Sequence, residues 1–297
     1  MTGVLPVLDP LAPGEPGEYR DELVRVVRLG DGQPRTSLGP VLARTRNFRL
    51  HDGGSRVEVS HVLRRPDLGN DLTELLAGEL FRPGVLAGSA LFERIFVGVV
   101  RSTVPGALPA WRAFYGNTLA RLRSRPRGRS WTADLAPVYD RAAALVPPGR
   151  VLDLGSCFGF FPLLLAGRDG YEVTASDLVP GSMRLLSAVA ASEGVPLRTI
   201  ACDAAAVPLP DGAADTVTVL HVLEHLAPAE GALVLAEALR LAARRVVVAV
   251  PFEDEPSTWY GHVRRFGCEE LAALGEGTGL PFTVSEHHGG WLTVHVA

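Results

Sequence analysis

A strand, a glycine turn, a helix and a second strand follow one another within residues 151–177, VLDLGSCFGFFPLLLAGRDGYEVTASD. The apolar run Val151–Leu154 predicts one buried strand, and Glu172–Ser176 predicts a second that ends at Asp177. Glycines in such a turn let the backbone approach a ligand, and an acid after the second strand can accept hydrogen bonds from both ribose hydroxyls. The pattern therefore indicates a parallel α/β sheet with a nucleoside lying across the strand ends.

The turn itself reads Asp153-Leu-Gly155-Ser-Cys-Phe-Gly159, which differs from the G-x-G-x-x-G spacing of dinucleotide-binding enzymes. It resembles the D-x-G-x-G-x-G turn of class I S-adenosylmethionine (SAM) methyltransferases. Cys157 stands where that family has its middle glycine. We therefore expect the loop to accommodate a small side chain that faces the cofactor.

A second stretch, residues 200–225, reads IACDAAAVPLPDGAADTVTVLHVLEH. It predicts a third strand ending at Asp203, a loop of small residues and prolines, and a fourth strand, Thr216–Leu220, opened by Asp215. This stretch resembles the D-a-x-x-L-P-x-p-D-x-x-f-D-x-V segment of the same family. The resemblance extends over roughly residues 135–297.

The resemblance implies that SAM is the cofactor, with Asp177 on the ribose and Asp203 near the adenine amino group. The residues that it places around SAM are Asp153, Gly155, Ser156, Gly159, Asp177, Leu178, Asp203, Ala204 and His221.

The rest of this region continues the alternation of helix and strand. Glu230–Ala243 predicts a helix, Arg245–Pro251 a fifth strand, and Glu269–Leu274 the start of another helix. Phe282–Glu286 and Trp291–Val296, joined by His-His-Gly-Gly, predict an antiparallel hairpin. The expected fold class is α/β: a Rossmann-like seven-stranded methyltransferase sheet with a terminal antiparallel hairpin, plus a smaller α+β N-terminal domain.

The N-terminal region carries no recognisable motif. We expect a loose N-terminus over 1–20, an α+β substrate or dimerisation domain over 21–122, a basic linker over 123–134 and the SAM-binding domain over 135–297. A homodimer is left open. Alternating residues predict strands at Leu23–Arg28, Val41–Leu50 and Val57–Leu63. A turn after residue 50 predicts a hairpin over 43–63. A change to helical periodicity predicts helices from Asp71 onward, over Ala90–Val100 and over Pro109–Leu122.

Three polar residues follow the fourth strand in the sequence His221-Val-Leu-Glu224-His225. In a helix this spacing would place them on one face. In isolation, HxxEH is also the inverted zinc-protease motif, so a metallohydrolase is one alternative. Position after a Rossmann strand favours the methyltransferase, where this segment lies beside the reactive methyl. Because an imidazole can take a proton from an alcohol, His225 is the first candidate for the catalytic base and His221 the second.

The same segment resembles the E-x-x-E-H of ubiquinone-pathway and small-RNA 2′-O-methyltransferases, whose acids and histidines are associated with a divalent metal. His262 occupies a place comparable to a further histidine of those families. The resemblance implies His221, Glu224, His225 and His262 as metal ligands. A histidine at 221 in place of glutamate would shift the preference from Mg²⁺ toward Mn²⁺ or Zn²⁺. The alternative is that His221 and Glu224 only cap and brace the helix.

Composition limits the classes of partner. The formal charge of −4 argues against a protein that coats nucleic acid, although it allows a local basic groove. No apolar run has the length of a membrane span, and the N-terminus lacks the pattern of a secretory signal. The three cysteines have no paired spacing, which suits a reducing cytoplasm, and the Ala/Arg/Gly bias suggests a bacterial source. Arginines recur between 121 and 129, either as a solvated linker or as a patch for an anionic substrate.

Aromatic residues complete the prediction of the acceptor. Trp111, Phe114 and Tyr115 share a helical face, and Trp259 and Tyr260 follow the fifth strand. Most such aromatics belong to a core, although a few at the mouth of the cofactor cleft could stack on a sugar or ring.

The chain, including GSCFGF and ELFRPGVLAGSALFERIF, resembles the mycofactocin oligosaccharide methyltransferases of actinobacteria. This resemblance implies O-methylation of a glucose hydroxyl on a glycan. A phenolic natural product is an alternative acceptor, and a non-catalytic SAM-binding subunit is an alternative function.

Overall fold

The computed structural model describes residues 8–30, 37–128, 130–256 and 261–296. The chain divides into two compact units, residues 1–133 and 134–297. Within the described ranges, no helix is both long enough and apolar enough to cross a membrane.

The first unit is an α+β domain, as predicted, built on a five-stranded sheet of order β1-β2-β5-β4-β3. Its strands are β1 Glu18–Arg20, β2 Val24–Arg28, β3 Val41–Arg44, β4 Phe48–Gly53 and β5 Arg56–His61. Its helices are α1 Leu72–Leu76, continued by a π-turn Ala77–Phe81, then α2 Ser89–Thr103 and α3 Ala107–Ser124. Only β2 and β5 pair in parallel among these strands; the other pairs are antiparallel.

The single strand predicted over Val41–Leu50 is wrong, because the chain turns between β3 and β4. The carboxylate of Glu79 accepts hydrogen bonds from the backbone N–H of Asn47, at 2.9 Å, and from the hydroxyl of Thr45. A tertiary contact therefore creates this turn. Strand β1 also lies inside the segment expected to be loose.

The aromatic face of α3 lies in the core of the first unit. Trp111 and Phe114 are fully buried, Tyr115 is 1% exposed, and neighbouring rings meet edge to face. The indole N–H of Trp111 donates a hydrogen bond to the carbonyl of Pro10. These rings pack the domain, so the suggestion that they stack on a sugar is wrong.

The second unit contains the seven-stranded sheet, of order β11-β12-β10-β9-β6-β7-β8. Its strands are β6 Gly149–Leu154, β7 Tyr171–Asp177, β8 Leu197–Ala201, β9 Ala214–Leu220, β10 Ala242–Val250, β11 Phe282–Glu286 and β12 Gly290–His295. Its helices are α4 Trp131–Leu145, which begins inside the expected linker, then α5 Phe160–Ala166, α6 Pro180–Ser192, α7 Pro228–Leu241 and α8 Cys268–Gly277. Strands β6 to β10 are parallel, and β12 is antiparallel to β10 and β11. The Rossmann-like sheet and its terminal hairpin are confirmed.

The central strands are apolar on both faces because helices cover both faces. In β10, Val246, Val248 and Val250 belong to the core that α7 and α8 complete. Val247 and Ala249 belong to a second core with residues of α4 and α5. The parallel register pairs Leu154 with Ser176 and Leu220 with Ala249, so the carboxyl ends of these strands share one edge of the sheet.

Candidate functional site at the strand ends

The turn after β6 depends on glycine at two positions. Gly155 and Gly159 both have φ of +72°, a left-handed conformation that favours glycine. A Cβ at Gly155 would lie 2.5 Å from Cγ2 of Val222, and one at Gly159 would lie 2.3 Å from Cδ2 of Leu186. Cys157 adopts φ of +51° with a side chain present. The loop therefore accepts the cysteine at the cost of a conformation that side chains disfavour.

Asp177, at the end of β7, is held by two backbone groups. One carboxylate oxygen accepts a hydrogen bond from the N–H of Cys157 at 2.8 Å, and the other accepts one from Val179 at 2.9 Å. The adjacent Leu178 is 71% exposed. An anchored acid beside an exposed apolar side chain has the chemistry that a ribose and the face of a purine require.

Asp153 lies beneath the turn and is 3% exposed. Its carboxylate accepts hydrogen bonds from Thr218 Oγ1, at 2.6 Å, and from Ser156 Oγ, at 2.7 Å. Burial raises the pKa of Asp153 to about 6, although these two hydrogen bonds oppose the increase. The contacts connect β6, β9 and the glycine turn, so this acid braces the loop from below.

Asp203 lies two residues beyond the end of β8, so the third strand stops earlier than the sequence predicted. Its carboxylate accepts a hydrogen bond from the N–H of Ala205 at 2.8 Å, and the turn containing Ala204 follows. The N–H of Cys202 donates to the carbonyl of Asp177 at 3.0 Å. This hydrogen bond keeps the Asp203 turn beside the end of β7.

The polar segment after β9 forms a 3₁₀ turn, Leu223–His225, rather than the α-helical face considered above. His221 adopts φ of +55°, and its N–H donates to the carbonyl of Ala249 at 2.9 Å. The turn directs Glu224 inward, where it is 1% exposed, and leaves His225 exposed. Nδ1 of His221 lies 3.0 Å from Oε1 of Glu224.

The chain returns to this point after β10. The N–H of Val263 donates to the carbonyl of Glu224 at 2.8 Å, which holds His262 beside the turn. The ring centroids of His225 and His262 are 4.8 Å apart, with the planes at 80°. Nδ1 of His262 lies 2.7 Å from Oε2 of Glu253, so its N–H donates to that carboxylate. The sequence prediction missed Glu253, whose only local signal was an acid just after the fifth strand.

Three of the four predicted metal ligands come together in this cluster. Potential ligand atoms of Glu224, His225 and His262 all lie within 4.8 Å of one another. His221 contacts Glu224 but stands outside that group of three.

The ionisable side chains of this cluster differ in the partners that their charges have. Neither carboxylate oxygen of Glu224 has a hydrogen-bond partner among the described residues, and the nearby Nδ1 of His221 lacks hydrogen-bond geometry toward it. Partial burial lowers the pKa of His225 below its ordinary value, while the Glu224 charge opposes that change. His225 is therefore a neutral imidazole at pH 7, able to accept a proton or to bind a cation.

Two predicted groups fall partly or wholly outside the described residues. These are the aromatic pair Trp259 and Tyr260, and Arg129 in the arginine-rich stretch.

Comparison with known proteins places these features in a methyltransferase context. Residues 152–250, about a third of the chain, match the family described as a methyltransferase domain. Over 120 residues the chain is 35% identical to a demethylmenaquinone methyltransferase of Thermus thermophilus. The aligned region makes up 40% of this chain and 54% of that protein. The chain thus spans about half the length of that curated relative.

Solved structures that resemble the chain have lower identity. A SAM-dependent methyltransferase from Aquifex aeolicus is 16% identical, over 60% of this chain and 96% of that one, with a TM-score of 0.46. A 1,6-didemethyltoxoflavin-N1-methyltransferase from Burkholderia thailandensis is 24% identical, over 55% and 78%, with a TM-score of 0.45. The family match covers the glycine turn, Asp177, Asp203 and the polar turn, and the second unit has the Rossmann-like methyltransferase fold.

Proposed function

We propose that this protein is a SAM-dependent methyltransferase that transfers the methyl group to a hydroxyl of a small or glycan acceptor. The observation that carries the proposal is Asp177, held by the backbone of the glycine turn within a segment that matches methyltransferase domains. The residues proposed to bind SAM are Asp153, Gly155, Ser156, Gly159, Asp177, Leu178, Asp203, Ala204 and His221. Asp153 and Ser156 act by shaping the turn, since their side chains bond to each other.

The polar turn supplies what the reaction needs besides the cofactor. The acceptor oxygen attacks the methyl carbon of SAM, the carbon–sulfur bond breaks, and S-adenosylhomocysteine leaves. The acceptor proton must go to a base, because an alcohol is a poor nucleophile at neutral pH. His225 is neutral and exposed at the strand edge, and it is our first candidate for that base. His221 is the second candidate, with Glu224 beside its Nδ1.

The acceptor class rests on charge and on the base. A formal charge of −4 disfavours nucleic acid, and an imidazole suits the deprotonation of an alcohol. We extend the proposal to a sugar hydroxyl, such as the glucose of a mycofactocin-type glycan. A phenol, whose pKa is about 10, needs less assistance from a base and is the competing acceptor.

The first test measures SAM binding. Replacing Asp177 with Ala should weaken binding by about 1.5–3 kcal/mol, roughly 10- to 150-fold in Kd, because hydrogen bonds to a charged group are lost. Isothermal calorimetry with SAM and S-adenosylhomocysteine gives the change. Asp169→Ala, at an exposed acid before β7, serves as the matched control. Unchanged affinity in a folded Asp177→Ala protein would remove the assignment of the ribose site.

The second test identifies the acceptor. Labelled SAM incubated with bacterial glycan, phenol and RNA fractions should place one methyl on a glycan hydroxyl, as read by mass spectrometry. Acceptor affinity should change little with added salt, because the acceptor carries few phosphates. A steep loss of affinity with salt, or robust methylation of RNA, DNA or protein, contradicts the acceptor proposed here.

The proposal also includes a setting for the enzyme. All three cysteines are free thiols, which suits a reducing cytoplasm. The first unit is proposed to bind substrate or to form a homodimer. Light scattering of the whole chain tests the homodimer directly, since a monomer mass contradicts it.

A further inference from the structure

We propose that a cavity in the first unit binds a small zwitterion, an α-amino acid with an apolar side chain. The cavity lies at the turn between β1 and β2 and has a volume of about 390 Å³. Small-molecule sites in proteins have volumes of about 300–1,000 Å³, so such a molecule has room here. Every lining residue belongs to the first unit, so this binding does not depend on the proposed methyl transfer. The charged lining residues are three acids and three arginines, namely Asp9, Asp21, Glu22, Arg20, Arg56 and Arg94.

The carboxylate of Asp21 is already neutralised within the wall of the cavity. Its Oδ2 accepts hydrogen bonds from Nη1 of Arg94, at 2.6 Å, and from the hydroxyl of Tyr19, at 3.2 Å. Its Oδ1 accepts from the backbone N–H groups of Leu23 and Val24, at 2.8 and 2.9 Å. These hydrogen bonds fix the acid and pair it with Arg94. The charges of a ligand are therefore left to the other charged residues of the lining.

The remaining charged side chains of the lining have no ion-pair partner. In the part of the chain that the structure describes, no ion pair involves Asp9, Glu22, Arg20 or Arg56. Two of these charges are negative and two are positive. A ligand with a single charge would meet like charges as well as opposite ones, and an uncharged ligand would displace water from all of them without pairing any. A ligand that carries both charges can pair with both kinds, which favours a zwitterion.

The guanidinium of Arg56 has the edge that recognises carboxylates available. Its Nε donates a hydrogen bond to the backbone carbonyl of Asp21 at 2.9 Å, which fixes the direction of the group. Nη1 and Nη2 have no hydrogen-bond partner within the described ranges. Two adjacent nitrogens of an arginine match the two oxygens of a carboxylate. We therefore assign the ligand carboxylate to Arg56 and its ammonium to the exposed carboxylate of Glu22.

The segment before β1 adds an apolar wall to the cavity. Leu8, Ala12 and Pro13 line it from this side. The segment is held at Pro10, whose carbonyl accepts a hydrogen bond from the indole of Trp111 at 2.8 Å. An apolar side chain on the ligand would remove this surface from water, which is favourable. The combination of paired charges and an apolar wall fits an amino acid such as leucine.

The ligand test titrates the whole chain with L-leucine and with derivatives that lack one or both of its charges. S-adenosylhomocysteine is present in excess, so that an amino acid cannot occupy the proposed SAM site. L-leucine should bind with a Kd of about 1 mM or lower in an NMR titration. N-acetyl-leucine, which lacks the ammonium, should bind about 2- to 5-fold more weakly, because it loses an exposed ion pair. Leucinamide, which lacks the carboxylate, should bind at least about 10-fold more weakly, and N-acetyl-leucinamide should bind most weakly.

Variants of the lining separate this cavity from any other amino-acid site. Ala12→Trp should abolish leucine binding by filling the cavity with every charge in place, whereas Ala87→Trp, at an exposed position, should leave it unchanged. Arg56→Ala should lower the affinity for leucine at least about 10-fold without lowering that for leucinamide. Glu22→Gln should lower the affinity for leucine about 2- to 5-fold. Glu93→Gln, at an exposed acid on α2, should have no effect. Melting temperatures show whether each variant is folded.

Three outcomes overturn the site. One is the absence of leucine binding, and another is leucine binding that survives both Ala12→Trp and Arg56→Ala. The third is N-acetyl-leucinamide binding as tightly as leucine, which would mean that the cavity recognises apolar shape alone. Methyl transfer by a chain that does not bind leucine overturns the site and leaves the proposed function standing. Leucine binding by a chain that does not bind SAM supports the site and contradicts the proposed function.

Discussion

The histidines of the two units differ in how their ring nitrogens are used. In the first unit, His61 is fully buried, its Nδ1 accepts from the N–H of Leu63, and its Nε2 lies 2.8 Å from Ser102 Oγ. The Ser102 hydroxyl donates onward to the carbonyl of Gly98, so Nε2–H of His61 is the donor to Ser102. Burial, followed by the charge of Arg28, lowers the pKa of His61 to about 3. This neutral ring is fully satisfied.

In the second unit, three histidines surround the carboxylate of Glu224, which has no hydrogen-bond partner among the residues that the structure describes. Two of the four non-glycine residues with positive φ among those described, Cys157 and His221, also lie at this edge of the sheet. Strained backbone conformations and unsatisfied buried polar groups occur most often at functional sites, where binding a ligand can offset their energetic cost. The difference indicates that His61 stabilises the fold of its unit, whereas the histidines around Glu224 belong to a cluster suited to a functional role.

The largest expected effect falls on catalysis. His225→Ala should lower the methyl-transfer rate by about 10²- to 10⁴-fold, whether the ring acts as base or as ligand. SAM affinity and the melting temperature should stay near the wild-type values, because the side chain is exposed. Single-turnover kinetics with calorimetry checks both. A loss of stability as large as that of a core mutation would show that His225 is a structural residue like His61, which contradicts the difference drawn between them.

His61→Ala should act on stability instead. It leaves the N–H of Leu63 without its acceptor, removes the donor to Ser102 Oγ and opens a cavity, at a cost of about 2–4 kcal/mol in the free energy of unfolding. Urea denaturation measures this cost, with His287→Ala as an exposed control. The folded fraction should bind SAM normally. Lost SAM affinity in folded His61→Ala protein contradicts a purely structural role.

Asp153 should give a smaller effect that depends on pH. Its pKa is raised from 3.8 to about 6, so between these values the folded state keeps a proton that the unfolded chain has released. Its contribution to stability is therefore complete below about pH 4 and is lost as the pH rises to about 6, with a slope of at most about 1.4 kcal/mol per pH unit. Asp153→Asn should remove this part of the pH dependence. Identical slopes for wild type and variant in urea unfolding would mean that the acid titrates normally.

Much of the sheet was predictable because its strands are short runs bounded by turn signals and helical patterns. β7 and β9 were predicted within two residues at each end, and β11 was predicted with its observed limits from the hairpin pattern. The local pattern also gave the end of β7, and with it the position of Asp177 at the edge of the sheet. Turns held by distant side chains were not predictable, as with Glu79 between β3 and β4.

The sequence predicted only part of the cluster around Glu224, because the rest depends on contacts between residues that are distant in the chain. The spacing of Glu224 and His225 assumed a helix, yet the chain forms a 3₁₀ turn, with Val222 at φ −120° and ψ −44° ahead of it. Glu253 joins through a hydrogen bond to His262, made after the chain leaves β10 and comes back. A local sequence pattern does not predict that the chain comes back to this turn after β10.

The position of β12 has a consequence for synthesis of the chain. β12 lies between β10 and β11, so the valine-rich β10 keeps one open edge until residues 290–295 have left the ribosome. An unpaired apolar strand is a template for association between nascent chains. We expect this interval to be when the protein depends most on chaperones. Ribosome-bound chains that end before residue 290 should bind chaperones more strongly than the whole sequence stalled through an added flexible linker long enough to place β12 outside the ribosome.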